Sequence, residues 1–134
     1  MNIHEKRLKD LQHLLKKEKI GALVISRPLE QDFLTGFRMD GMVMLVSCRD
    51  AWAFMPKMLL DHFKSSVPFV DASAPDLLLE AVCLKVKDGK FRKTVFEPET
   101  ETYLRGQYWR KKGLSEFRGL TSGLRAGWRK SLRR

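Results

Sequence analysis

The sequence predicts an α/β fold, a mainly parallel or mixed sheet with helices on both faces, built as one domain. Three observations predict it. Residues 4–19, HEKRLKDLQHLLKKEK, place Leu8, Leu11, Leu14 and Leu15 on one stripe among charged residues, the spacing of an amphipathic helix. Residues 22–26, ALVIS, follow at once as a short apolar run rich in branched side chains, the mark of a strand buried on both faces. A helix leading straight into such a strand calls for further helices to cover the sheet. The third is that short apolar runs and amphipathic stretches keep alternating to the end of the chain, without an internal repeat or a dividing linker.

In chain order, Gly21 stands just past the first helix, where a helix stop is expected. Pro28 opens a short helical turn to about Phe33, since proline suits the first helical position, and Gly36 stops it. The runs 41–47 (GMVMLVS) and 51–55 (AWAFM), joined by the polar CRD, predict a hairpin. Pro56 starts a helix over KMLLDHFKSS, with Met58, Leu59, His62 and Phe63 at helical spacing. Residues 67–71 (VPFVD) read as a strand, and Pro68 puts it at an edge or at a strand beginning. Ser73 or Asp76 can cap a helix over 76–87, DGK forms a turn, 93–98 (KTVFEP) a strand, and Glu99 to Lys112 a helix. A last extended piece, 115–120, precedes a basic helix from about Ser122. In that helix Leu124 and Trp128 share one face and are expected to pack on the domain, with Arg125, Arg129 and Lys130 pointing elsewhere and order reaching about residue 130.

The bulk composition narrows the function classes. The chain has 134 residues, 43% apolar and 31% charged, a globular balance with room for a single core. No apolar run approaches the length of a membrane span. The opening MNIHEKRLKDLQ is charged and lacks the apolar heart of a signal peptide, so the expected setting is cytoplasmic. Cys48 and Cys83, 35 residues apart, fit two reduced thiols better than a disulfide there. The formal net charge of +10 is uneven: residues 105–134 hold ten Lys or Arg and one acid, Glu116, leaving +1 for the first 104 residues.

Leu34-Thr35-Gly36-Phe37 poses a choice between a glycine loop around a phosphate and a structural corner. No second glycine pair and no following Lys-Ser/Thr accompany it, so the phosphate reading lacks its partners. As a corner the segment makes sense: Gly36 permits the tight turn, Phe37 anchors it in the core, and a strand follows. Leu34, Thr35 and Gly36 are the structural part of that corner.

The order of these elements and their local words resemble the amino-terminal domain of the creatinase, prolidase and Xaa-Pro aminopeptidase family. Such domains begin with a helix of the form R-L-x-x-L-x-x-x-L, matched by Arg7, Leu8, Leu11 and Leu15. A G-L-D-A-L-L-V-like strand follows, matched by Gly21, Ala22, Leu23 and Val24, and then P-x-N-x-x-Y-L-T-G-F, matched by Pro28 and Leu34 to Phe37. AFMPKMLLDHF resembles the family's V-P-x-L-E-x-x-x-A segment, and TVFEPETETYLRGQYWRKKGL its helix before the final strand. Many aminopeptidase relatives have Asp-x-Arg-Tyr after the hairpin. Pro56, Met58 and Leu59 fill those places here, which points to the prolidase-like branch. FRMDG also departs from the small residues many members carry there.

The resemblance implies a three-layer, ribonuclease H-like mixed sheet of about five or six strands flanked by helices on both faces. It implies that residues 1–134 are the amino-terminal domain of a longer protein, with 121–134 leading toward a carboxy-terminal catalytic domain of pita-bread fold. That second domain would hold two divalent metals, manganese or cobalt, on two Asp, one His and two Glu, and hydrolyse the bond before proline. The amino-terminal domain would assist dimer assembly and overhang the partner's active site, so the expected partners are its own catalytic domain and a second copy. The residues expected at the substrate rim or dimer contact are Phe37, Arg38 and Asp40, because the corner exposes two charges beside a buried anchor. Arg38 can pair there with a peptide's terminal carboxylate, while the plainer reading of a solvent-facing arginine stands beside it.

No catalytic residue and no metal ligand is expected in this chain. His4 and His13 lie nine residues apart on opposite sides of the first helix, and His62 lies on a helix surface. None has a partner at ligand spacing. Asp71, Asp76 and Glu80 can converge, as can Glu97, Glu99 and Glu101, but Asp76 is more simply a cap and Glu97 to Glu101 stand where acids favour a helix start. Two other functions remain open: a protein-binding module derived from the same fold, and nucleic-acid binding through the basic end, where Tyr108, Trp109, Phe117 and Trp128 interleave with the cations. Those aromatics fit equally well as apolar helix faces, and nucleic acid is the less expected partner.

Overall fold

The computed structural model describes residues 2–132, and for residues 122 and 128–132 the backbone alone. Helix α1, Ile3–Lys17, is capped by the Asn2 side chain, which accepts from the Glu5 amide at 2.8 Å. Its stripe Leu8, Leu11 and Leu15 is buried, and each such leucine contributes about 1.5–3 kcal/mol relative to an exposed one. The helix ends at Lys17, and the left-handed stop that follows it falls on Lys19 (φ 58°) rather than on Gly21. Gly21 is required for a different reason. Its amide donates to the Lys93 carbonyl at 2.7 Å, and a Cβ there would lie 3.0 Å from that oxygen and 3.2 Å from the Phe91 Cβ. The glycine lets the chain lie against its neighbour as it enters β1, Ala22–Ile25.

The remaining elements are α2 (Pro28–Thr35), β2 (Val43–Ser47), β3 (Ala51–Phe54), α3 (Lys57–Ser66), β4 (Asp71–Ser73), α4 (Leu78–Gly89), β5 (Thr94–Phe96), a 3-10 turn (Pro98–Thr100), α5 (Tyr103–Lys111), β6 (Ser115–Glu116) and α6 (Leu120–Leu132). Among the described residues the sheet has six strands in the order β4-β3-β2-β1-β5-β6. Only β2 runs against its neighbours; β1 pairs with β5, β5 with β6 and β3 with β4 in parallel.

Side-chain alternation splits each central strand between two cores. Leu23 and Ile25 of β1 and Met44 and Val46 of β2 join the core that holds Leu11 of α1, Leu34 of α2, Phe63 of α3 and Leu120 of α6. Ala22, Val24, Val43 and Leu45 face the other core, with Val82 of α4 and Trp109 of α5. Three layers result. The crossover through α3 steps outward from β3 to the edge strand β4, and the one through α4 steps back to β5 over the opposite face, as crossovers of one hand require.

Several elements differ from their predicted bounds. The edge strand is Asp71–Ser73 rather than 67–71: Val67 and Val70 are buried in a turn, and pairing with β3 begins at Asp71. Neither Ser73 nor Asp76 caps α4, since Ser73 lies in β4 and the cap position is Leu77, which has no side-chain bond. The helix expected over 99–112 is broken. Pro98 starts the 3-10 turn, and Thr102 caps a fresh helix by accepting from the Arg105 amide at 3.3 Å. Helix α6 starts at Leu120, two residues before Ser122. Leu124 packs against the α1 core as expected, whereas the expectations for the side chains of Trp128, Arg129 and Lys130 lie outside the described residues.

Candidate functional site

The corner is built on α2. That helix ends at Gly36, which sits in the left-handed region (φ 74°) and donates to the Asp32 carbonyl at 2.7 Å. The Thr35 hydroxyl donates to the Gln31 carbonyl at 2.7 Å and accepts from the Phe37 amide at 3.1 Å, fixing the turn from both sides. Buried Gln31 donates from Nε2 to the carbonyls of Ile25 (2.9 Å) and Met42 (2.7 Å), so it ties the end of β1 to the start of β2. From α1, Arg7 Nη1 donates to the Phe33 carbonyl at 3.2 Å and its guanidinium stacks 4.2 Å from the Phe33 ring centre. His4 Nδ1 lies 3.3 Å from the same carbonyl.

Leu34 and Thr35 are buried as the corner reading requires. Phe37 is half-buried and meets Phe63 edge-on at 5.4 Å between ring centres, and the exposed His62 at 5.0 Å. Met39 is the deeper anchor. Arg38 and Asp40 on either side of it are exposed. Together with Arg27, Pro28 and Leu29 these residues line a shallow cavity of about 410 Å³. Arg27, which sequence reasoning missed, brings a second guanidinium to the same opening. Its signal was its place between a buried strand and Pro28, a helix start at the carboxyl end of a sheet strand.

Beside this opening lies a polar cluster that joins α2, β5 and α6. Arg27 grips Glu30 with both Nε (2.6 Å) and Nη2, and Arg125 Nη1 approaches Glu30 at 3.3 Å. Glu30 is 1% exposed. The bond to Glu30 holds the Arg27 guanidinium above its ordinary value despite desolvation. Arg125 therefore turns inward to this carboxylate, contrary to the outward-pointing arginine expected from helical phase.

Glu97, 2% exposed at the end of β5, accepts from the amides of Leu120 (2.9 Å) and Thr121 (3.1 Å) and from the Thr121 hydroxyl. Glu99 accepts from the Gly119 amide at 2.6 Å. The acids of 97–101 do favour a helix start, but that of α6, more than twenty residues ahead. Glu101 instead accepts from Trp109 Nε1 at 2.9 Å.

Burial pushes the Glu97 carboxyl above its usual range, against the lowering effect of its Thr121 bonds. With the folded value raised, the folded domain holds this proton more tightly than the unfolded chain. Glu97 therefore makes stability fall as pH rises through the window between the two values and adds no slope above it. We expect wild type to gain stability relative to Glu97→Gln as pH falls toward the ordinary glutamate value from above, read by urea melts at each pH. Parallel curves would show that the carboxylate carries no such linkage.

Among the described residues no group of three or more His, Cys, Asp or Glu could hold a metal ion, so they do not fit the pair of metals that the resemblance implies. His13 is exposed on α1, and the thiols of Cys48 and Cys83 are free. No helix among the described residues is long and apolar enough to cross a membrane. In the basic end, Trp109 is fully buried, Phe117 packs on the α1 core under Lys93, and Tyr108 packs against the α5 core. These three aromatics serve as apolar faces rather than a stacking surface. Arg110 pairs with Glu116, which lowers the Glu116 carboxyl, and Arg105 lies 4.0 Å from Glu101.

The family model described as the creatinase/prolidase N-terminal domain matches residues 7–126. The chain belongs to this family. Creatinase/prolidase N-terminal domains of known structure share its fold. The aminopeptidase P from Streptococcus thermophilus superposes with a TM-score of 0.85 at 17% identity, over 92% of this chain and 99% of that one. The N-terminal domain of the cytoplasmic peptidase PepQ from Mycobacterium tuberculosis gives 0.77 at 18% identity, over 89% and 98%. The Xaa-Pro dipeptidase from Bacillus anthracis gives 0.80 at 17% identity over 91% of this chain, which spans 36% of that longer protein. No curated protein sequence matches the chain. The domain thus resembles the N-terminal domains of Xaa-Pro peptidases, and its mixed six-strand sheet between helices is their architecture.

Proposed function

We propose that this is the non-catalytic N-terminal domain of a metal-dependent, cytoplasmic Xaa-Pro peptidase of the prolidase or aminopeptidase P kind. Its task is to help assemble a homodimer and to restrict which peptides reach the active site. The observation that carries this is the exposed corner, where Arg38 and Asp40 stand beside Arg27 at one opening on a bonded α2 scaffold. Residues 121–134 lead toward the catalytic domain, and the two divalent metals, manganese or cobalt, are held there and not by this chain. Arg38 offers a forked donor to the terminal carboxylate of a short peptide, and Asp40 repels carboxylates presented in the wrong register.

Two measurements test the reading. The purified chain, with or without manganese, hydrolyses no Xaa-Pro dipeptide or tripeptide; metal-dependent turnover that vanishes in His62→Ala would contradict it. In the two-domain enzyme Arg38→Ala raises KM for Xaa-Pro dipeptides about tenfold and leaves kcat within about twofold, whereas dipeptide amides show no such loss. Equal KM for wild type and variant on the free acids would remove Arg38 from the substrate rim.

A further inference from the structure

Helices α4 and α5 each leave a parallel strand and return to another, so they run side by side in the same direction over one face of the sheet. Their inner faces pack through Val82 and Trp109, and their outer faces carry exposed leucines among charged side chains. Leu77 and Leu84 are each 61% exposed and Leu104 is 80% exposed, far more than a settled surface needs. Between the helices lies a groove of about 430 Å³. Half-buried Cys83, Val86 and Tyr108 line it, with Leu84 exposed at its side. The Tyr108 ring is held from one side by Trp109, edge-on at 5.3 Å between ring centres, and its centre lies 5.5 Å from Lys112 Nζ.

Charge is graded along the groove. Leu77 and Leu104 lie toward the starts of the two helices, while Lys87 and Lys112 line the groove toward their ends, against the single acid Glu80. We propose that this groove docks an amphipathic helical segment of a partner protein, apolar on the side that enters and acidic where it passes Lys87 and Lys112. Glu80, the pair Cys83 and Leu84, and Lys87 on one side, and Tyr108 and Lys112 on the other, line the groove lengthwise at steps of three or four residues and leave it open to a helix laid between the two. A second copy meeting this groove with its own would set Lys87 and Lys112 against like charges. An anionic bilayer would meet the lysines, but a flat surface cannot follow a floor recessed between two helices. The inference is independent of the peptidase reading, since it uses the face carrying α4 and α5 and none of the corner residues.

The test uses the full chain and a fluorescent synthetic helix with a leucine stripe and a glutamate polar face, followed by anisotropy. We expect saturable binding that weakens about tenfold in Leu84→Gln and again in the double variant Lys87→Glu, Lys112→Glu. These side chains are exposed, so circular dichroism should report unchanged folding. The same peptide with lysine in place of glutamate should bind at least about tenfold more weakly. Equal binding of the two peptides, unaltered binding by the variants, or no binding of the acidic peptide would overturn the proposal. So would a dimer in solution that Leu84→Gln dissolves, or tight binding to phosphatidylserine vesicles that the variants abolish while the acidic peptide stays unbound.

Discussion

Glu97→Ala lowers the stability of the domain by about 2–4 kcal/mol, the largest loss expected from one polar side chain here. Three donors at the start of α6, the amides of Leu120 and Thr121 and the Thr121 hydroxyl, lose their acceptor in a buried place. Each orphaned donor costs about 1–3 kcal/mol, and relief of the carboxylate's own desolvation offsets part of the sum. Arg27 also loses a favourable charge. Urea melts read the total, and hydrogen exchange reads where it falls: the Leu120 and Thr121 amides should exchange faster in the variant, ahead of the amides of β2. A stability within about 0.5 kcal/mol of wild type would mean that α6 is held by Leu120 and Leu124 packing alone.

Gly36→Val is the second large effect, about 2–3 kcal/mol, and exceeds that of Arg38→Ala. The backbone at Gly36 has φ 74°, where a branched side chain is strained. A Cβ there would also stand 2.7 Å from His4 Nε2, so the imidazole must leave the Phe33 carbonyl. Arg38 is exposed, and trimming it to alanine should stay within about 0.5 kcal/mol. Thermal melts give both values. The reverse order would mean that the turn at Leu34–Phe37 does not depend on glycine and that the corner is not the fixed scaffold argued for it.

The parts of the fold legible in the sequence are those governed by local periodicity. The leucine stripe of α1, the apolar run of β1 and the hairpin around CRD need only neighbours a few residues apart, and their positions hold within one or two residues. The segment 67–71 misled because Val67 and Val70 are apolar for a reason other than strand pairing: they fill the α1 core from a turn. Helix α5 was placed too early because Glu99 and Glu101 resemble first-turn acids, whereas Thr102 is the cap that counts. Lys19 rather than Gly21 takes the left-handed stop, since Gly21 is committed to close contact with Lys93.

At the site, Gly36, Thr35 and the exposed pair Arg38 and Asp40 were legible from turn chemistry. The Arg27–Glu30 grip is local, at i and i+3, and could have been found. The contact from Arg125 to Glu30 and those from Glu97 to Leu120 and Thr121 could not, because they span 95 and more than twenty residues and depend on how α6 docks. A buried carboxylate leaves no periodic trace. The basic end shows the same limit from the other side: composition marks it as cationic, while only packing shows that Trp109 and Phe117 are core residues.

The central claim, that this domain serves a metallopeptidase whose chemistry lies elsewhere, is tested most directly by the coding sequence that follows the codon for Arg134. The account predicts that it continues for about two hundred residues or more, with two Asp, one His and two Glu in the order of a two-metal site. A stop codon at that point, or a continuation lacking the five ligands, would contradict it.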